Sequence, residues 1–189
     1  MRKRDFVSYT SFAFSESEVS RLLSACGTMA DYIMILLSVR YGFRREDIVR
    51  IRVRDINIEQ KTITFYEKKK DRTRTIPIEY DVAMDLKRYI ATLQKNEIFL
   101  LPFQDGSTAW RHLQDLCKVA GVAVPEGRTG RPYHALRGTC LKLRQKQGWT
   151  VNECAALVGD EPRTVFKHYL TTTPAELADL MNTKGRGSP

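Results

Sequence analysis

The chain has 189 residues, 42% of them hydrophobic, which is enough apolar side chain for one core and excludes a disordered chain. With 31 Lys and Arg against 22 Asp and Glu, its formal charge of +9 fits either a polyanionic partner or a solvated basic surface. The longest apolar run, "YIMILLSV", is too short to span a bilayer, and the opening "MRKRDFVSYTSF" has no long apolar stretch behind it, so the expectation is a soluble, cytoplasmic protein with no membrane partner.

In chain order, Ser15 and Glu18 have capping-box spacing ahead of an amphipathic helix, "SESEVSRLLSAC", with Val19, Leu22, Leu23 and Cys26 on one face. The next helix, "MADYIMILLSVRYG", is apolar nearly all round and belongs in the core; Gly42 stops it, and "RREDIVRIR" starts a new helical turn. The period then changes to two. "KTITFYEKKK" and "RTRTIPI" alternate around a charged link, "KKKD", and with "RVRDINIE" predict a small antiparallel sheet. Helices resume with "DVAMDLKRYIATLQ", "STAWRHLQDLCKVAG", "YHALRGTCLKLRQKQG", "TVNECAALVG", "PRTVFKHYL" and "PAELADLMN", and "VAVPEGRTGRP" is the long loop, suited by its Gly, Pro and Arg to face an anion. The fold class expected is mainly α with a small antiparallel β-sheet. Cys26, Cys117, Cys140 and Cys154 have no CxxC pairing or metal-ligand rhythm and are expected to be reduced, mostly buried thiols.

No P-loop, HExxH, GxSxG or GxGxxG sequence occurs, and no tight carboxylate cluster suits two magnesium ions. Chemistry on phosphates would therefore run without metal or cofactor. What remains is a set of cations and one candidate nucleophile. Arg44 follows Gly42, Lys69 lies in the charged link, and His134 and Arg137 of "HALR" share a helix face at i and i+3. Tyr169 comes later, beside Lys167 and His168.

These segments resemble, in order, the boxes of the tyrosine site-specific recombinases, which include the phage integrases, from about Phe14 to Met181. "YGFRREDIVRIRVRDI" resembles the first box, implying a catalytic Arg44 and a supporting Asp47. "KKKDRTRTIPI" is similar to the hairpin that carries the catalytic lysine, matched by Lys69. "HALRG" resembles the HxLR box, implying His134 and Arg137, and "LVGDEPRTVFKHYL" resembles the final box, whose nucleophile falls on Tyr169. The resemblance implies the recombinase catalytic-domain fold over residues 14–181 after a basic segment or linker over 1–13, and the tail over 182–189 is expected to be disordered. The resemblance also implies site-specific cleavage and rejoining of double-stranded DNA by a dimer or tetramer of protomers, nucleoid-associated when bound.

The chemistry is sensible on its own terms. Two guanidiniums, never deprotonated, can fork onto the oxygens of a phosphodiester as charge grows at phosphorus. A phenol with a pKa of about 10 needs neighbouring cations and a base, such as His134, to attack at neutral pH. Lys69 could protonate the leaving 5′-oxygen, giving a 3′-phosphotyrosyl enzyme that a second 5′-hydroxyl reverses without ATP.

The pattern departs from the family at two places. After the Leu-Gly pair, where a histidine, lysine-like donor or tryptophan is usual, stands Asp160. Three readings are open: it points away and caps the next helix, it orients Arg137 or another cation, or His168 or Lys167 supplies the missing donor. Second, about a dozen residues precede the first helix, which fits an excised catalytic fragment or a one-domain member and predicts weak, salt-dependent DNA binding. The terminal helix "PAELADLMN" docks on a neighbouring protomer or packs on its own domain. The rival readings are a type IB topoisomerase-like nicking-closing enzyme and a decayed recombinase that only binds DNA.

Overall fold

The computed structural model describes residues 13–103, 105–124 and 133–169, and the pairs 177–178 and 181–182. Most of "VAVPEGRTGRP", the basic start and the terminal "TKGRGSP" lie outside the described residues. The chain opens with α1 (Glu16–Ser24) and α2 (Met29–Tyr41), followed by the single turn α3 (Arg45–Ile48). Next comes an antiparallel sheet in the order β1 (Ile56–Asn57), β2 (Thr62–Glu67), β3 (Arg72–Pro77). The rest is helical: α4 (Tyr80–Ile90), α5 (Gly106–Val119), α6 (His134–Lys146), α7 (Val151–Val158) and α8 (Pro162–Tyr169). This is the mainly helical fold with a small sheet that the sequence predicts. Among the described residues no helix is long and apolar enough to cross a membrane.

The core is organised around α2. Its Ile33, Met34, Ile35 and Leu37 are fully buried, each side chain contributing about 1.5–3 kcal/mol of hydrophobic stabilisation. Helices α4 and α6 both pack against it. Both ends of α2 are specified locally: Thr28 accepts from the Asp31 N–H at the start, and Gly42 adopts a left-handed φ of 65° at the end. At α1, Ser15 and Glu18 form the expected capping box.

The hairpin puts a carboxylate where alternation would put a hydrophobe. Ile63, Phe65 and Glu67 are the inward positions of β2, and all three are buried. Glu67 pairs in register with Arg72 at the hairpin end, where Lys68–Lys70 form one 3₁₀ turn and Asp71 takes a left-handed φ of 48°. "RVRDINIE" is less strand-like than expected: Val53–Asp55 is a 3₁₀ turn, leaving two residues for β1. Arg52 and Phe99 form an isolated antiparallel bridge there, which ties this segment to the stretch after α4.

A second, smaller apolar cluster joins the last three helices. It comprises Cys140 and Leu141 of α6, Cys154, Ala155 and Val158 of α7, and Val165 and Tyr169 of α8. The four cysteines are free thiols, and burial pushes Cys140 up to about 12, so it stays protonated and inert near neutral pH. Beyond α8 the described residues of "PAELADLMN" are helical, with Leu177 and Met181 exposed one turn apart.

Candidate active site

Three structural devices aim cations into one place. The first is the α2–α3 corner. Gly42 ends α2 in the left-handed region, and Arg44, extended at φ −74° and ψ 148°, opens α3 two residues later. A cation at a helix N-terminus faces the positive end of the helix dipole and is disfavoured. Arg44 is held there by acids: its Nη1 lies 3.4 Å from Glu67 Oε1 and 3.7 Å from Asp47 Oδ2, and the residue is 9% exposed.

The second device is α6. It presents Arg137 from its first full turn, and the side chain is almost completely buried. Its guanidinium donates through Nη1 to the Gly42 carbonyl (2.5 Å) and through Nη2 to the Val158 carbonyl (2.9 Å). Arg137 therefore staples the C-terminus of α2 to the C-terminus of α7, using carbonyls that helix ends leave unpaired. His134, the first residue of α6, is partly buried and lines a cavity with Arg44, Asp47, Lys68, Lys69 and Tyr133.

The third device is the turn after α7. Gly159 caps α7 with φ 68° and sits so close to the hairpin that an added Cβ would lie 2.6 Å from both Arg74 Nη1 and Glu67 Oε1. Arg74 holds the turn from below, donating to the Ala156 and Leu157 carbonyls. The next residue is Asp160, and its carboxylate bridges the two arginines. Arg44 Nη2 donates to Oδ1 at 2.7 Å and Arg137 Nη2 to Oδ2 at 2.6 Å, with Lys70 Nζ 3.6 Å from Oδ1. Of the three sequence readings of Asp160, the association with Arg137 describes what is seen. Helix α8 instead opens on the Glu161 carbonyl, which accepts from the Val165 N–H.

The electrostatics follow from these contacts. Burial by itself would raise the Asp160 carboxyl, but Arg137 and Arg44 outweigh it and hold the group below the usual carboxylate range. Asp47 goes the other way. Its burial dominates, only partly offset by the Lys68 N–H it accepts at 3.2 Å and by Arg44, and its carboxyl is raised.

Arg44, Asp47, Lys69, His134, Arg137 and Asp160 surround one site. Tyr169 is 5% exposed and packed in the second apolar cluster with Val165 and Cys154, while His168 beside it is half-buried. Sequence reasoning missed Glu67, Lys70 and Arg74. Glu67 was detectable, because it continues the Ile63, Phe65 alternation and so faces inward; Lys70 was indistinguishable from its two neighbours.

The profile of the phage integrase family matches residues 13–176, nearly the whole chain. The chain belongs to the phage integrase family. Among related members, the tyrosine recombinase XerA of Saccharolobus solfataricus is 27% identical over 171 residues, covering 90% of this chain and 54% of that protein. The chain spans roughly 54–60% of the length of the XerA relatives it matches. In fold, the crystal structure of XerA recombinase superposes with a TM-score of 0.77 at 20% identity, over 94% of this chain and 66% of that one. The catalytic domain of bacteriophage HP1 integrase gives 0.66 at 17% identity, with 97% and 98% of the two chains covered. The integrase fold accordingly accounts for the helical body, the three-stranded sheet and the order of the elements. Directly after Val158 and Gly159, this phage integrase family member carries the arginine-bridging Asp160.

Proposed function

We propose that this chain is the catalytic part of a site-specific DNA recombinase that cuts and rejoins double-stranded DNA through a 3′-phosphotyrosyl intermediate. The observation that carries the reading is the convergence of Arg44 and Arg137 on the two oxygens of one anion, at 2.7 and 2.6 Å. That arrangement suits the nonbridging oxygens of a phosphodiester, and its charge does not depend on pH.

With a phosphodiester in this place, the Tyr169 oxygen attacks phosphorus and gives its proton to His134. The P–O5′ bond breaks, and Lys69 supplies a proton to the departing oxygen. The 5′-hydroxyl of a second strand reverses the step. The Tyr169 ring is packed in the apolar cluster of α6, α7 and α8, so a movement of α8 would set the reach of its oxygen. Coupling that movement to assembly would confine cleavage to DNA-bound protomers; the exposed Leu177 and Met181, one turn apart, offer the apolar face for docking on a neighbour. The relatives whose solved structures hold DNA include XerH bound to its difH substrate and a λ integrase dimer on a core site, which supports double-stranded DNA as the partner here. The basic surplus of +9 supports it independently.

The test is a duplex nicked beside candidate cleavage sites, so that the cut fragment diffuses away and the enzyme is trapped. The wild-type chain should form a covalent complex resistant to denaturant, and Tyr169→Phe should form none. Wild type without a covalent complex across a library of sites, under conditions where it binds DNA, would overturn the reading.

A further inference from the structure

The phosphate place described above is filled in this structure by the protein's own side chain. We infer that Asp160 is a resident anion seated where the substrate phosphodiester binds, and that the substrate must displace it; the inference rests on the reading that Arg44 and Arg137 hold the scissile phosphate.

The alternative is that Asp160 builds the site by orienting the arginines, and the geometry argues against it. Each guanidinium is anchored without Asp160. Arg44 uses Nη1 on Glu67 and Asp47, and Arg137 uses both amines on the Gly42 and Val158 carbonyls. Removing Asp160 therefore leaves two aimed cations with open coordination, not two loose ones. Charge points the same way: Lys70 adds a third cation within 3.6 Å, and one monoanion can replace another without disturbing the surrounding balance. A carboxylate and a phosphodiester offer the same pair of acceptor oxygens, and the phosphodiester brings more. Arg137 Nε, buried and without an acceptor among the described residues, is a donor the carboxylate leaves unused.

The exit route is a side-chain rotation. Gly159 takes a left-handed φ and a Cβ there would meet Arg74 and Glu67, so the turn that carries Asp160 requires a glycine. The Asp160 side chain is about 10% exposed, and its displacement would be a rotation about the first torsion toward that exposed side. In the absence of DNA the arrangement keeps the two arginines neutralised and closed to stray anions.

Inorganic phosphate tests this directly. It is titrated into the full chain by calorimetry at constant ionic strength, comparing wild type, Asp160→Asn, Asp160→Ala and Asp115→Asn. The last removes an exposed carboxylate on α5 and controls for net charge. The dissociation constant should fall at least ten-fold for both Asp160 variants and stay within two-fold for Asp115→Asn. Unchanged or weaker binding by a folded Asp160 variant, or an equal gain by Asp115→Asn, overturns the inference; the alanine variant decides if the asparagine one does not fold. The readout is separate from cleavage. Tighter phosphate binding without any covalent DNA complex would uphold the resident anion and sink the recombinase reading, whereas a covalent complex with no gain in phosphate affinity would do the reverse.

Discussion

Arg44 and Arg137 each take one oxygen of the Asp160 carboxylate, from anchors that have nothing in common. One is held by buried acids on α3 and β2, the other by the carbonyls that end α2 and α7. The site is therefore assembled from tertiary packing, and substitutions that disturb the packing should be felt in the chemistry.

Arg137→Lys tests the carbonyl staple. An ammonium keeps the charge but cannot reach the Gly42 carbonyl, the Val158 carbonyl and an anion in one plane. With at least one buried carbonyl left unpaired, urea denaturation should show a loss of about 2–3 kcal/mol. Covalent capture on nicked DNA should fall below detection even at temperatures where the variant is folded.

Gly42→Ala probes the corner between the two arginines. The left-handed φ of 65° costs about 1–2 kcal/mol for a residue with a Cβ. The added atom would also sit 2.8 Å from Val158 Cγ1. The α2–α7 contact must open, and the melting temperature and the cleavage rate should drop together. A variant with full stability and full activity would show that the corner is less rigid than its geometry implies.

The site was legible in the sequence wherever a position is fixed by local order and illegible wherever it depends on packing across the fold. Gly42 before Arg44 and the i, i+3 spacing of His134 and Arg137 are local, and they placed the cavity. The capping box at Ser15 and the alternation of β2 are local too. The partner of Asp160 was open because the bridge joins three segments far apart in the chain, and short-range chemistry favoured an Asp-Glu-Pro helix opening. The burial of Tyr169 was hidden for a related reason: its helix "PRTVFKHYL" is amphipathic, but which side meets α6 and α7 is decided by Cys140, Cys154 and Val158. β1 is shorter than expected: Val53–Asp55 forms a 3₁₀ turn, and Arg52 bridges to Phe99, a residue far along the chain that local pattern does not reveal.

The two buried carboxylates should tilt stability against pH in opposite directions. Asp160 is held below its ordinary value, so its contribution is complete above the unfolded pKa of about 4 and is lost as pH falls through the depressed folded value. Asp47 is raised, so its contribution is complete below about 4 and is lost as pH rises through the elevated folded value. Thermal melts from pH 3 to 7 should show a shallower acid limb for Asp160→Asn than for wild type. Asp47→Asn should gain relative to wild type as pH rises. Parallel curves for all three proteins would mean that neither carboxylate changes its proton affinity on folding.

Tyr169→Phe separates packing from reactivity. The ring fills the second cluster beside Val165 and Cys154, and phenylalanine keeps that volume, so the variant should keep most of the packing stability that alanine would lose. Tyr169→Ala should cost about 3 kcal/mol or more by opening a cavity among α6, α7 and α8. Neither variant should be captured on DNA. The contrast shows that loss of cleavage in the phenylalanine variant comes from the missing hydroxyl.

Lys69 and Lys70 stand side by side on the hairpin turn but touch different things, since Lys69 lines the cavity and Lys70 lies near Asp160. If Lys69 protonates the leaving 5′-oxygen, Lys69→Ala should slow cleavage by about 10²–10⁴. A substrate with sulfur in place of the bridging 5′-oxygen leaves as a thiolate and needs no proton, so it should restore most of the rate. Lys70→Ala should instead weaken binding of DNA and of phosphate, and the sulfur substrate should not rescue it. Rescue of Lys70→Ala in place of Lys69→Ala would exchange the two roles, and rescue of neither would remove the hairpin from the proton transfer.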